Sequence, residues 1–120
     1  MPTIPPFMLK QLYVKGSLRN TADGFTLTLR NNLAAATLIG IDLAVDNTQV
    51  DHAGLAIVVG PTRTPAAMIT TETPLRFETG VPTTVEVQGA PLPPGEHKLT
   101  FLATTREIGA VTIEVSDSVT

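Results

Sequence analysis

The chain of 120 residues contains ten prolines, nine glycines and no cysteine, and its formal net charge at neutral pH is −3. The missing cysteine excludes disulfides, thiolate metal ligands and a cysteine nucleophile, and the acidic balance with scattered Lys and Arg argues against nucleic-acid binding. The sequence shows neither a secretory signal nor an apolar run long enough for a membrane span, and we therefore expect one cytoplasmic domain without membrane contact.

The first part of the chain combines a proline-rich segment with a hairpin. The prolines of residues 1–8 predict an extended arm that ends near Phe7 and Met8. Alternating apolar and polar residues follow on both sides of Asp23 and Gly24. This pattern predicts two antiparallel strands joined by a tight turn.

The middle of the chain contains two strongly apolar strands. The first is expected to place four side chains on one face, namely Ile39, Ile41, Leu43 and Val45. The second, LAIVVG, is apolar almost throughout, which suits either a central strand covered on both sides or a strand that faces a partner protein. With the arm, it supplies the candidate partner interface: Phe7, Met8, Leu55, Ile57 and Val59.

The remaining segments complete an all-β pattern. Four prolines interrupt residues 61–82, which we interpret as a long loop excursion with a short strand at best. TTVEV, HKLTFLATT and AVTIEV then form three alternating strands, and residues 117–120 are expected to be a tail. The spacing predicts an immunoglobulin-like antiparallel β-sandwich of about seven to eight strands over residues 9–116.

His97 is the candidate functional residue in PLPPGEHKLTF. It shares the parity of Leu99 and Phe101, so it is expected to start the inward row of a strand. A lone histidine without a spaced partner favours this structural interpretation over a catalytic one. Arg63 and Arg76 in the excursion could hold an anionic group, and with His97 they are the candidate wall of a substrate cleft.

The sequence supplies few groups for catalysis. We predict no catalytic residue, because the serines have no nucleophile-elbow context and the two histidines occur singly. His52 with Asp46 and Asp51 is a conceivable metal site, although turn acids usually bond their own backbone. A pair of carboxylates for glycoside hydrolysis also stays open, but nothing in the sequence marks one.

The order of several motifs is similar to a known family. SLRN, VDNTQV, FETGVPTTVEV and PLPPGEHKLTF follow one another along the chain. In this order the chain resembles the small β subunit of bacterial C-glycoside deglycosidases, from about Leu9 to Val115. The resemblance implies a β-sandwich bound to a larger α subunit, a metal-dependent TIM barrel similar to sugar isomerases, in a hetero-oligomer.

The same resemblance implies a function for the complex. The pair would act as a carbon-carbon lyase that separates a 3-oxo sugar from an aromatic aglycone. A divalent metal, manganese, and the acid-base groups would belong to the α subunit, so no cofactor is expected in this chain. The alternatives are a self-standing immunoglobulin-like binding module and an independent hydrolase, and a sugar isomerase-like barrel encoded next door would favour the subunit.

Overall fold

The computed structural model describes residues 6–119 of the chain, without the side chains of Pro6 and Phe7. Residues 1–5, which make up most of the predicted arm, therefore lie outside the described residues. The side chain of Phe7, a candidate for partner contact, lies outside them as well.

The end of the predicted arm is helical, so the prediction of an extended chain is wrong there. An α-helical turn, α1, covers Pro6–Leu9, and a 3₁₀ turn follows at Lys10–Leu12. Leu9 and Leu12 are both buried in the core. Pro6 is compatible with this turn because proline is favoured at the first position of a helix, where its missing N–H has no intrahelical partner to lose.

Ten β-strands follow along the chain. Their bounds are β1 Arg19–Thr21, β2 Gly24–Arg30, β3 Ala36–Val45, β4 Thr48–Gln49, β5 Leu55–Val59, β6 Thr62–Pro65, β7 Leu75–Phe77, β8 Pro82–Gln88, β9 Glu96–Thr105 and β10 Gly109–Ser118. Two more 3₁₀ turns, at His52–Gly54 and Ala66–Met68, connect strands. Residues 6–119 thus contain ten strands, where about seven to eight are predicted from the sequence.

The strands form two antiparallel sheets that pack face to face. The first sheet has the order β1-β2-β8-β5-β6 and the second β10-β9-β3-β4, with β7 paired to β3. The short strands β4 and β7 pair with opposite ends of β3. The predicted all-β antiparallel sandwich is confirmed.

The core fills the space between the sheets. Its most completely buried side chains are Leu18, Leu27, Leu43, Leu55, Ile57, Val85, Leu99 and Phe101. Most of them come from the inward rows of alternating strands, as the sequence predicts. Burial of this apolar surface is the main driving force for folding.

Two predicted boundaries change. The excursion of residues 61–82 contains β6, a 3₁₀ turn and β7, so more of it is ordered than expected. The predicted tail at 117–120 begins too early, because β10 continues through Ser118 and Asp117 is buried. Within the described residues, no helix has the length and apolar character needed to cross a membrane.

Candidate functional site

An apolar cavity of about 180 Å³ lies between the two sheets. It occupies the end of the sandwich where β2 and β9 finish and β3, β8 and β10 begin. Leu9 and Leu12 of the N-terminal turns line it together with Leu29, Ile41 and Phe101 of the strands. Among the described residues that line it, all but four are apolar, and the exceptions are Asn31, Thr83, Thr105 and Glu107.

Asn31 is buried at the rim of the cavity and is fully used in holding the chain. Its amide nitrogen donates to the carbonyls of Ala34 at 2.7 Å and Phe77 at 3.0 Å. Its amide oxygen accepts the Leu33 N–H at 3.0 Å. Asn31 therefore shapes the loop that closes this end of the sandwich.

The two threonines of the cavity differ in their hydrogen bonds. The Thr105 hydroxyl donates to the Gly109 carbonyl at 3.0 Å and accepts the Ile108 N–H at 3.1 Å, which fixes the turn between β9 and β10. Thr83 is 4% exposed, and its hydroxyl has no hydrogen-bond partner among the described residues. Thr83 is thus the polar side chain of the cavity that is available to another molecule.

Glu107 forms a polar cluster at the cavity rim. Its carboxylate accepts the Thr37 N–H and the Thr37 hydroxyl, each at 2.8 Å. Arg76 donates to the same hydroxyl at 3.0 Å and lies 3.9 Å from the Glu107 carboxylate. The Thr37 N–H and hydroxyl bonds, with the nearby Arg76 charge, lower the pKa of Glu107, so its carboxylate is ionised at neutral pH.

Asp117 joins the two ends of the described chain. It is buried, and its Oδ2 accepts the Tyr13 hydroxyl at 2.5 Å and the Gly16 N–H at 2.8 Å. Lys15 Nζ lies 3.8 Å from Asp117 Oδ1 and donates to the Ser116 carbonyl at 2.6 Å. These contacts hold the N-terminal segment against the end of β10.

The pKa values of Tyr13 and Asp117 are shifted in opposite directions. Burial raises the pKa of Tyr13, and the hydrogen bond to Asp117 raises it further. Burial also raises the pKa of Asp117, but hydrogen bonds from Tyr13, Gly16 and Ser118 outweigh it, so the net pKa lies below the ordinary value. The contact is therefore a neutral hydroxyl donating to a charged carboxylate, which strengthens the hydrogen bond.

His97 is buried at the start of β9, at the end of the sandwich opposite the cavity. Nδ1 lies 2.6 Å from Asp46 Oδ2, and Nε2 lies 2.7 Å from the Pro93 carbonyl oxygen. Both partners are acceptors, so this geometry is satisfied when both ring nitrogens carry a proton. Asp46 also accepts the Lys98 N–H at 2.9 Å and thereby anchors the start of β9 to the β3–β4 turn.

The His97 contacts predict a pH-dependent stability. The Pro93 carbonyl, followed by Asp46, raises the pKa of His97, so its contribution is present below about pH 6.5 and is lost as the pH rises through the folded pKa. The His97 hydrogen bond, followed by the Lys98 N–H, lowers the pKa of Asp46, so its contribution is present above about pH 3.9 and is lost at lower pH.

We therefore expect His97→Gln to be more damaging at pH 5.5 than at pH 9. The measurement is the urea midpoint of wild type and variant at both pH values. In an Asp46→Asn background, the stability loss caused by His97→Gln should differ less between pH 5.5 and pH 9, because only the Pro93 carbonyl then remains as a partner of the imidazole. An equal loss from His97→Gln at both pH values would show that His97 does not gain its charge through these contacts.

A second pair of a histidine and an aspartate, His52 and Asp42, lies on the outer face of the second sheet. His52 Nε2 contacts Asp42 Oδ1, and Asp51 accepts the Ala53 N–H at 3.0 Å at the start of a 3₁₀ turn. The conceivable metal site of His52 with Asp46 and Asp51 is therefore not formed, since each acid has another partner. Within residues 6–119, no group of three His, Cys, Asp or Glu residues is arranged to hold a metal ion.

The structure does not bring the predicted cleft residues together. Arg63 of β6 pairs with Glu86 at 2.9 Å, while Arg76 of β7 pairs with Glu78 at 3.3 Å. His97 lies in a third place, and none of these three predicted residues lines the inter-sheet cavity. Arg63, Arg76 and His97 thus have separate contacts in this fold, and a substrate wall formed by them stays a prediction.

The predicted partner interface is also mostly internal. Leu55 and Ile57 are each 1% exposed and belong to the core, whereas Val59 and Met8 are half-buried. β5 pairs with both β6 and β8, so LAIVVG is the central, covered strand of the two alternatives. Leu55 and Ile57 are thus not accessible to a partner, and the interface as predicted is wrong for them.

Sequence reasoning misses the residues that carry the strongest polar contacts. The sequence places Asp117 in the predicted tail and marks no role for Tyr13, although the structure joins them. The signal is that Asp117 continues the row of Val111, Ile113 and Val115 in VTIEVSD, whereas the other acid, Glu114, lies on the opposite row. An acid at an inward position requires a buried partner, and that requirement was available from the sequence.

The fold and its contacts define a compact β-sandwich domain with internal polar links and an apolar inter-sheet cavity. The family model of the hydroxymethylglutaryl-CoA reductase N-terminal domain matches residues 8–120. The chain therefore belongs to this family. Among curated proteins, no significant match to the chain was found.

This family assignment corrects the resemblance to the small β subunit of C-glycoside deglycosidases. That resemblance is wrong, and so are the carbon-carbon lyase function and the role in carbohydrate metabolism inferred from it. Its motifs were turn and strand patterns, which follow from the requirements of a β-sandwich and do not identify a family. The self-standing immunoglobulin-like binding module fits the assignment no better. The barrel partner and its manganese were implied by the same resemblance and lose that support.

Proposed function

We propose that this chain is an accessory β-sandwich domain of a hydroxymethylglutaryl-CoA reductase-type protein, and that the reacting groups of that protein lie outside this chain. The observation that carries the proposal is the match of the reductase N-terminal domain family to residues 8–120. The partner of the domain is then a reductase catalytic part, on the same polypeptide or on another. No cofactor is assigned to the chain itself.

The internal polar contacts support an architectural role. Three short side-chain contacts link segments far apart in sequence: Tyr13 with Asp117, Asp46 with His97, and Thr37 with Glu107. In each pair the titratable group is held by further bonds to backbone N–H or carbonyl groups. Such groups stabilise one arrangement of the chain, because their polar atoms are engaged in hydrogen bonds within the domain.

The test separates catalysis from assembly. The purified chain is first mixed with hydroxymethylglutaryl-CoA and a reduced nicotinamide nucleotide, the common hydride donor of reductases, and nicotinamide absorbance is followed. We expect that the chain alone consumes none of the reduced nucleotide. The chain is then added to a hydroxymethylglutaryl-CoA reductase catalytic domain from the same source, and elution volume and thermal midpoint are measured.

We expect the two proteins to elute together and the catalytic domain to melt at a higher temperature. When the free concentration of the added chain is about 100 times the dissociation constant, binding stabilises the catalytic domain by about 2.7 kcal/mol. The control is an unrelated β-sandwich of similar size and charge. Substrate-dependent consumption by the chain alone would contradict the accessory role, and so would the absence of both co-elution and stabilisation.

A further inference from the structure

We propose that the inter-sheet cavity is a binding site for a compact, uncharged and mainly apolar molecule that carries one hydrogen-bonding oxygen, with the Thr83 hydroxyl as its polar contact. The inference concerns the interior of the sandwich and is independent of the accessory role proposed above. It rests on the volume of the cavity, its lining and the unpaired hydroxyl of Thr83.

The volume of the cavity is large for the interior of a small domain. Protein cores are packed as densely as organic crystals, and voids larger than a water molecule are few. The cavity has about 180 Å³, whereas an engineered apolar cavity of about 150 Å³ in another protein stays dry and binds benzene. A ligand on the order of six to ten non-hydrogen atoms fits these dimensions.

The lining favours an apolar ligand over water. Leu29, Leu38, Ile41, Phe101 and Ile113 form the walls between the sheets. A buried water needs two to four polar partners, but the amide of Asn31 and the hydroxyl of Thr105 already bond to the protein. An apolar molecule instead gains dispersion contacts with every wall.

Thr83 supplies the polar contact. It lies on β8 opposite Leu29 of β2 and belongs to the inward row that continues with Val85 and Val87. Its side chain is more than nine-tenths buried and lines the cavity, and its hydroxyl has no partner within the described part of the chain. No fully buried side-chain oxygen or nitrogen of the described residues lacks a partner, so the Thr83 hydroxyl oxygen is accessible from the cavity and can bond to a ligand oxygen there.

The rim selects against negative charge. Glu107 lines the cavity, and its carboxylate is held by the N–H and hydroxyl of Thr37. Arg76 is the nearby cation, and it already contacts both Glu107 and Glu78. A carboxylate or phosphate ligand would therefore meet a fixed negative charge, whereas a neutral alcohol or carbonyl compound would not.

The experiment compares three probes of similar shape on the full chain. Cyclohexanol carries one neutral oxygen, methylcyclohexane has none, and cyclohexanecarboxylate is charged. Each is titrated against isotopically labelled protein, and amide and methyl chemical shifts are recorded. We expect saturable shifts for residues that line the cavity, with cyclohexanol bound most tightly and cyclohexanecarboxylate most weakly.

Two variants test the contacts. Thr83→Val keeps the shape of the side chain but removes the hydroxyl. It should weaken the binding of cyclohexanol by about 3- to 10-fold, the loss expected for one neutral hydrogen bond, and should leave the affinity for methylcyclohexane unchanged. Ala103→Leu places a larger side chain in the cavity and should reduce binding of both neutral probes by more than about 10-fold. Ala36→Val, also in the lining, replaces Ala103→Leu if that variant does not fold.

Several results would overturn the inference. Equal binding of cyclohexanol to wild type and Thr83→Val would remove Thr83 as the polar contact. Tightest binding of cyclohexanecarboxylate would contradict the uncharged ligand class. Binding that appears only after deletion of residues 1–5 would identify the chain's own N-terminal segment as the occupant. Shifts that survive both cavity-filling variants would place the probes elsewhere.

Discussion

Asp117→Ala is expected to lower the free energy of unfolding by about 3 kcal/mol, the cost of removing one partner from a buried, charged hydrogen-bond cluster. The change leaves the Tyr13 hydroxyl and the Gly16 N–H without their acceptor. It also removes the opposite charge 3.8 Å from Lys15 Nζ. Urea unfolding followed by circular dichroism measures the loss.

Tyr13→Phe is the matched control for the Asp117 cluster. It removes only the hydroxyl, so Asp117 keeps the N–H groups of Gly16 and Ser118 as donors. We expect a smaller loss of about 1–2 kcal/mol. The double variant should lose little more than Asp117→Ala alone, because the two residues share one interaction. If Asp117→Ala lowered the free energy of unfolding by less than Tyr13→Phe does, Asp117 would not be the anchor of the N-terminal segment.

The cluster also predicts a local effect. Tyr13 follows directly on the turns of Pro6–Leu9 and Lys10–Leu12, whose leucines line the cavity. When Asp117 is removed, these turns lose their attachment to β10, whereas the sheets keep their own pairing. Amide exchange in the N-terminal turns should therefore rise more than exchange in β8 or β9.

The local parts of this fold follow from the sequence because they depend on neighbours in the chain. The alternation of HKLTFLATT requires one buried row, and the turn at Asp46 and Asn47 uses residues that tolerate positive φ, which are observed at 51° and 68°. The inward position of His97 follows from the same parity argument. Period and turn chemistry are sufficient for such features.

The long-range features do not follow in this way. Ile39 was expected to share a face with Ile41, but a shift of register between Leu38 and Gly40 reverses the parity, so Leu38 is buried and Ile39 is only half-buried. A bulge of this kind depends on the partner strand, which a local pattern does not specify. The same holds for Asp117 and Tyr13, whose contact spans most of the chain.

The cavity depends on both kinds of information. Its apolar lining is visible in the sequence as strand alternation, but its volume depends on how two sheets and the N-terminal turns meet. Thr83 illustrates the limit: the alternation of β8 places it inward, yet only the packing leaves its hydroxyl without a partner. The site could not be identified before the sheets were placed against each other.

Gly24→Ala is expected to lower the free energy of unfolding by about 3–5 kcal/mol, the combined cost of backbone strain and a steric overlap. Gly24 has φ of 155°, and a Cβ atom there would lie 1.9 Å from the Val87 carbonyl oxygen. That oxygen belongs to the neighbouring strand β8 and cannot move without breaking the pairing of β2 and β8.

Gly89→Ala separates the strain from the overlap. Gly89 has a similar φ of 146°, but a Cβ atom there would meet nothing within 4 Å. We expect a loss of about 1–2 kcal/mol from strain alone. Thermal and urea unfolding of both variants provide the comparison. Equal losses would mean that the approach of β2 to β8 at Gly24 is not a tight one.

The consequence of Gly24→Ala should extend to the far end of the same strand pair. The register that places Gly24 opposite Gln88 also places Leu29 opposite Thr83, and both of these residues line the cavity. A shift of one residue would turn the inward row of β8 to the outer face. A folded Gly24→Ala protein should therefore lose cyclohexanol binding together with stability, whereas Gly89→Ala should keep it. If Gly24→Ala bound the probe normally, the close contact at Gly24 would not set the register that forms the cavity wall.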